Sequence, residues 1–154
     1  MNKIMKINIV ELKNNLQYLD QYIKLRNSYE NELFTKPVSY EETKKWLQSD
    51  TIFLIVAIKN EILLGAVILY LTKDNEITIF TKESNKGIGT LLLKEIEKTA
   101  LKNKLKYIYS WVENSNYTSS KLFLKHNFLF INKIIKKHNN IKYIGNIFKK
   151  ELSR

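Results

Sequence analysis

The chain has no cysteine, a single proline and only four glycines in 154 residues. Without cysteine there can be no disulfide, no thiolate nucleophile and no thiolate metal site. The lone proline, Pro37, and the scarcity of glycine argue against a flexible linker. No repeat or low-complexity tract appears, so residues 1–154 are expected to form one domain. A long unbroken apolar run is missing too. The most apolar stretch, TIFLIVAIKNEILLGAVILYLT, is interrupted by Lys59, Asn60 and Glu61. It suits two buried strands around a tight turn rather than a membrane span. The opening MNKIMKINIV lacks a signal-peptide pattern, and a cytoplasmic location is the expectation. Histidine is nearly absent. His126 sits near a turn and reads as structural, and His138 falls in a polar loop. Neither has metal-ligand spacing with a carboxylate, and no Ser/His/Asp set can be assembled.

Acidic residues are short in one half only. The net charge is +11. Residues 1–77 hold ten Lys/Arg and ten Asp/Glu, whereas residues 78–154 hold sixteen and five. A polyanionic ligand is favoured by the second half, although a Lys-, Ile- and Asn-rich composition runs through the whole chain. The basic residues are spread along helix surfaces without interleaved aromatics, so nucleic acid is not the expected partner.

Periodicity gives the elements. KINIV (6–10) reads as a strand. Residues 14–30 space Leu16, Leu19, Ile23 and Arg26 at helical intervals. A capping box, Ser39 with Glu42, opens a second helix whose Trp46 and Leu47 face inward. Strands follow at 52–58, 62–71 and 76–81. A helix over 87–103 carries Ile88, Leu92, Ile96 and Ala100 on one face. A strand at 104–113, a short helix at 118–127 and a hairpin of 128–136 with 141–150 complete the order β α α β β β α β α β β. That order implies an α/β (α+β) fold, a mixed and mostly antiparallel central sheet flanked by helices.

Two of the four glycines, Gly87 and Gly89, stand one residue apart at the start of the 87–103 helix, in SNKGIGTLLLKEIEK. The first amides of a helix lack internal partners and the dipole leaves that end positive. A strand feeding a glycine turn and then a helix therefore makes an anion site, and Lys86 adds a cation. The Walker pattern GxxxxGK[ST] is absent, and GxGxxG fails because Leu92 stands at its third glycine. A plain helix-start turn with glycines for packing is the alternative on this stretch alone.

The surrounding residues shift the weight between them. ITIFTKESNKGIGTLLLKEIEKTA resembles the acetyl-CoA-binding motif of the GCN5-related N-acetyltransferases (GNAT), [Q/R]-x-x-G-x-[G/A] after a strand. NYTSSKLFLKHNF (116–128) matches the family spacing N-x-x-A-x-x-L-Y-x-x-x-G-F at Asn116, Leu122 and Phe128. Ser119 replaces Ala, Phe123 replaces Tyr and Asn127 replaces Gly. With the element order, the resemblance spans essentially the whole chain and implies the GNAT-like acyl-CoA N-acyltransferase fold, with acetyl-CoA as acetyl donor.

The resemblance implies roles for individual positions. Backbone groups of Ile77, Thr78 and Ile79 would pair with the pantetheine arm. Amides of Asn85, Lys86, Gly87, Ile88, Gly89 and Thr90 would hold the pyrophosphate. Asn116 and Phe123 would border the pantetheine, and the strands 76–81 and 104–113 would splay into a slot for the thioester. Two departures matter. Ser84 stands at the Arg/Gln position, where Lys82 or Lys86 can restore charge but not bidentate geometry. Phe123 stands where many members have a Tyr that protonates the leaving thiolate. General acid help is worth roughly 10²–10⁴-fold, but a thiol of pKa about 8.5 leaves readily. Tyr117, Tyr109 or water are the substitutes.

Glu76 is the candidate base that takes the amine's proton, with Glu113 second. The N-terminal half selects the acceptor, and Arg26 and Tyr40 are the candidates to touch it. The stretch LRNSYENELFTKPVSYEETKKWL looks like that of members acting on amino sugars or on ribosomal protein N-termini. The expected function is acetyl transfer to a primary amine of a small molecule, such as an amino sugar. A peptide N-terminal acetyltransferase and a non-catalytic acyl-CoA-binding module are the alternatives. Neither a metal nor a membrane is expected, and the chain is expected to be a monomer or homodimer.

Overall fold

A computed structural model of the protein describes residues 6–29, 36–82 and 87–152. Strands β1 (Asn8–Glu11), β2 (Ile52–Lys59), β3 (Ile62–Tyr70), β4 (Glu76–Thr81), β5 (Tyr107–Glu113), β6 (Leu129–His138) and β7 (Ile141–Glu151) form one sheet. Its spatial order is β1-β2-β3-β4-β5-β7-β6, and every neighbouring pair is antiparallel except β4 and β5. Helices α1 (Leu19–Ser28) and α2 (Tyr40–Trp46) precede β2, α3 (Ile88–Lys102) joins β4 to β5, and α4 (Tyr117–Lys125) joins β5 to β6. The expected order of elements is the observed one.

The sheet has an apolar layer on each face. On one, Val67, Leu69 and Ile77 pack with Leu92, Leu93 and Ile96 of α3 and with Phe123, Phe128 and Phe148. On the other, Val56, Ile68 and Phe80 pack with Leu19 and Tyr22 of α1 and with Leu47. Strands β2 and β3 are covered on both faces, which is why they read as near-continuous apolar runs instead of an alternation.

Asparagine and aspartate replace the missing glycines in the turns. Asn60, Asp74, Asn75, Asn139 and Asn140 all have φ between 50° and 67°. The pairs 60–61 and 139–140 are two-residue hairpin loops with both φ values positive, a geometry whose twist matches that of the flanking strands. Asn and Asp tolerate it because their short polar side chains compensate the backbone locally.

Two helices end in Schellman motifs. At the end of α3, Leu105 N donates to Ala100 O at 3.0 Å and Lys104 N to Leu101 O at 3.0 Å, with Lys104 left-handed. Residue 104 is thus spent on closing the helix, and β5 begins at Tyr107 rather than at the expected 104. At the end of α4, Phe128 N donates to Phe123 O at 3.0 Å and Asn127 has φ +69°. Phe128 then packs edge-on against Phe123, with centroids 4.9 Å apart. Position 127 is the one where the family pattern has glycine, and asparagine meets the same left-handed requirement.

The first helix is shorter than its periodicity suggests. Residues 12–14 and 16–18 form 3-10 turns, and α1 starts at Leu19. Asn15 departs from helical backbone (φ −142°, ψ 56°), and its Nδ2 donates to Glu11 O at 2.8 Å. An asparagine side chain that bonds local backbone in this way competes with the helix. The expected Ser39 cap of α2 is present: Glu42 N donates to Ser39 Oγ at 3.2 Å, while the Glu42 carboxylate accepts from Ser39 Oγ at 2.9 Å.

Candidate active site

The parallel pair β4 and β5 touches at one register position, Glu76 opposite Tyr109. Beyond it the strands part. Inside the gap Ser110 Oγ, which is buried, donates to Ile77 O at 2.9 Å. A groove of about 1270 Å³ passes through this opening, from α3 and α4 on one face to α1 on the other.

The ladder phase decides what β4 offers to the groove. Lys82 N donates to Leu64 O at 2.7 Å, continuing the β3–β4 register. In an antiparallel ladder alternate residues turn their backbone groups to the partner. Thr78 and Phe80 therefore bond to β3, while Ile77, Ile79 and Thr81 face the gap. Ile77 O is taken by Ser110, and Thr81 O accepts from Tyr29 Oη at 2.6 Å. Both backbone groups of Ile79 are left facing the groove. Thr78 meets it through its side chain instead, and the side chain of Ile77 points away into the core.

At one end of the groove stands the mouth of α3. Gly87 is its N-cap, with φ +92° and nothing within 4 Å of where a Cβ would be. Among the described residues no side chain caps the helix, and its first turn carries no acid, so this end suits an anion. Gly89 and Thr90 border the groove beside Asn116, Lys121 and Lys125 of the α4 segment. Ile88 is buried in the core. Asn85 and Lys86, with Ser84, lie outside the described residues. Thr90 Oγ1 and His126 Nε2 are 3.0 Å apart, which ties α3 to the end of α4. Burial lowers the His126 pKa from its ordinary value, and the neighbouring Glu97 partly opposes this.

Asn116 caps α4 through Oδ1, which accepts from Ser119 N at 3.2 Å, and it lines the groove. Phe123 forms part of the groove wall while being 1% exposed, clamped between Phe128 and Phe148. Its position is rigid, and it has no proton to donate.

At the other end are Glu76, Tyr70, Lys73, Arg26 and Lys136. Glu76 is mostly covered and sits 3.4 Å from Lys136 Nζ. Lys136 also lies over the Trp111 ring, 4.9 Å from its centroid. Tyr109 donates to Lys73 O at 3.1 Å, and burial, then the Glu76 charge, push its phenol up to about 12. Arg26 Nη1 donates to Lys36 O at 2.6 Å.

The structure thus brings Glu76, Thr78, Ile79, Gly87, Gly89, Thr90, Asn116, Phe123 and Arg26 to one groove. Tyr40, in the first turn of α2, is outside it. So is Tyr117, which is 71% exposed on α4. Tyr70, Lys73, Trp111 and Lys136 line the groove without a local sequence signal to mark them, because register and strand splay place them there. Among the described residues no cluster of His, Asp and Glu could hold a metal ion, and no helix is long and apolar enough to cross a membrane.

Comparison with known proteins agrees with this geometry. Residues 19–128 match the family model described as acetyltransferase (GNAT) family. No curated protein matches the chain. Among solved structures, an N-acetyltransferase from Staphylococcus aureus Mu50 superposes with a TM-score of 0.84 at 19% identity, covering 96% of this chain and 99% of that one. A Salmonella typhimurium acetyltransferase structure containing its cofactor acetyl-CoA gives 0.82 at 13% identity, covering 99% and 96%. A ribosomal-protein-alanine N-acetyltransferase from Brucella melitensis gives 0.81 at 17% identity, covering 96% and 100%. The family match spans most of the chain, and the uncapped helix mouth and parted strands suit a diphosphate and a thioester arm. The chain belongs to the acetyltransferase (GNAT) family, whose acetyl donor is acetyl-CoA.

Proposed function

We propose that the protein moves an acetyl group to the primary amine of a small molecule, with donor and acceptor bound together. The supporting observation is the parting of β4 and β5 beyond Glu76 and Tyr109, which opens a through-groove with an anion site at one end and a carboxylate at the other. Acetyl-CoA supplies an acetyl group already activated as a thioester. The residues suited to hold it are Gly87, Gly89 and Thr90 at the helix mouth, with Asn85 and Lys86 beside them in the sequence, then Ile79 through its backbone, and Asn116 and Phe123 on the opposite wall.

Glu76 is the base. An amine attacks only when neutral, and the Glu76 carboxylate lies at the apex of the split, on the face away from α3, where it takes the proton directly or through one water. Phe123 gives no acid help. Tyr109 does not line the groove and its hydroxyl donates to Lys73 O, which leaves water as the source of the thiol proton. Tyr117 is too exposed on the outside of α4 for that role.

Melting curves with and without acetyl-CoA test the donor. A ligand at one hundred times its Kd adds about 2.7 kcal/mol, so the shift should be plain. Thiol release is then screened over amino sugars, amino acids, polyamines, aminoglycosides and short peptides. No shift would refute the donor site, and a shift without thiol release from any amine would leave a binding module in place of a transferase.

A further inference from the structure

The wall around Glu76 is cationic and phenolic. Tyr70 stands directly across the β3–β4 ladder from Glu76, and both side chains line the groove. Burial holds the Tyr70 phenol protonated up to about 12, so at neutral pH it is a donor. Among the described residues its hydroxyl has no protein partner. Lys73 Nζ lies 4.5 Å from the centroid of the Tyr70 ring. The ion pairs among the described residues are Lys98–Glu95, Lys136–Glu76, Lys149–Glu151 and Lys150–Glu97, and Lys73 is in none of them. The Arg26 charge acts on both Tyr70 and Tyr22. Just beneath, the hydroxyl of Tyr22 is buried with no partner among the described residues. Buried polar atoms are seldom left so.

Among the described residues at this end of the groove, Glu76 is the carboxylate on a wall that otherwise presents positive charge and hydroxyl donors; the groove's other described acid, Glu113, stands at the far end of β5. Lys136 neutralises Glu76 in part. A polyamine or aminoglycoside, cationic throughout, would meet like charge at Lys73 and Lys136. An acceptor with an amine at one end and an acid at the other would find a partner for each.

We propose that Tyr70 and Lys73 bind an acidic group of the acceptor, which is therefore a small amine that also carries a carboxylate or a phosphate. The proposal rests on the acetyl-transfer reading above. It orients the substrate, since the acid docks beside Tyr70 and the amine is delivered to Glu76 on the neighbouring strand.

The test compares paired amines that differ only in the acid: amino acids against their methyl esters, and glucosamine 6-phosphate against glucosamine, with spermidine as a cationic reference. The acid-bearing member of one pair should be acetylated at least about tenfold more efficiently, in line with a hydrogen bond to a charged group. Which pair responds distinguishes carboxylate from phosphate. Lys73→Met should raise KM for that acceptor with little change in kcat. Lys73 is exposed, so the melting temperature should hold, and so should the melting shift given by acetyl-CoA. Tyr70→Phe should raise the same KM. Equal turnover of masked and unmasked amines, or an unchanged acceptor KM in Lys73→Met, would overturn the subsite and leave the transferase standing. No thiol release from any amine, despite a normal acetyl-CoA shift, would overturn both.

Discussion

The indole of Trp111 occupies the space where a side chain at position 145 would begin. A Cβ built on Gly145 would overlap Cε2, Cζ2 and Nε1 of that ring. The missing side chain lets Trp111 cross β7 and donate from Nε1 to Ile134 O on β6, at 2.9 Å. Trp111 in turn underlies Lys136, the ion partner of Glu76. A glycine on β7 therefore fixes the floor of the groove at the Glu76 end.

Gly145→Ala should displace Trp111 and cost about 1–3 kcal/mol, the usual penalty for overfilling a packed site. Urea unfolding measures it. A Trp111→Leu companion substitution should relieve most of the clash, so the double variant should be less destabilised than the two single costs added together. Strict additivity would mean that the two residues are not in contact.

Glu76→Gln keeps the shape of the side chain and removes the carboxylate proposed as the base. The expected loss in kcat is about 10²-fold or more, with the acetyl-CoA melting shift retained because Glu76 lies away from the helix mouth. Steady-state thiol release and a melting curve on the same sample give both numbers, and a near-normal kcat would pass the base role to Glu113 or to water.

Gly89 separates packing from anion binding. A Cβ there would come within 3.0 Å of Leu122 Cδ2, the flexible end of a side chain. Gly89→Ala should be tolerated with a small rearrangement of Leu122. Gly89→Glu would put a carboxylate at the uncapped amides and should abolish the acetyl-CoA melting shift. A normal shift in the Glu variant would place the diphosphate elsewhere.

Asn127 is left-handed at the end of α4. Asn127→Ala should lose about 1 kcal/mol, since an alanine pays the steric cost of that region, whereas Asn127→Gly should be neutral or stabilising. Denaturant midpoints of the two variants give the comparison, and equal midpoints would show that the backbone conformation does not govern the position.

His126 links stability to pH. Its folded pKa lies below the ordinary 6.5, so as pH falls through that value the unfolded chain takes up the proton first. Stability should be full above about pH 7 and decline as pH drops below 6.5, levelling once the folded ring is also charged. His126→Gln should flatten the decline between pH 7.5 and 5.5 in unfolding free energies. The same slope in wild type and variant would assign the effect to other groups.

Local sequence determined much of this protein. Helical and alternating periodicities gave the element order, the Ser39–Glu42 cap began α2, and the glycine pair marked the start of α3 that borders the groove, because each is set by neighbours a few residues apart. Elsewhere local hydrogen bonds prevailed over periodicity, as where the Asn15 side chain bonds to Glu11 O and shortens the first helix, and where the backbone at Lys104 closes α3 and delays β5. Tertiary structure alone decided the Glu76 end of the groove. Tyr70 faces Glu76, Trp111 passes over Gly145, and β4 parts from β5 after one paired position. These follow from strand register and splay between segments far apart in the chain. No pattern within a single segment encodes them, since they are fixed only when both faces of the sheet have buried their apolar layers.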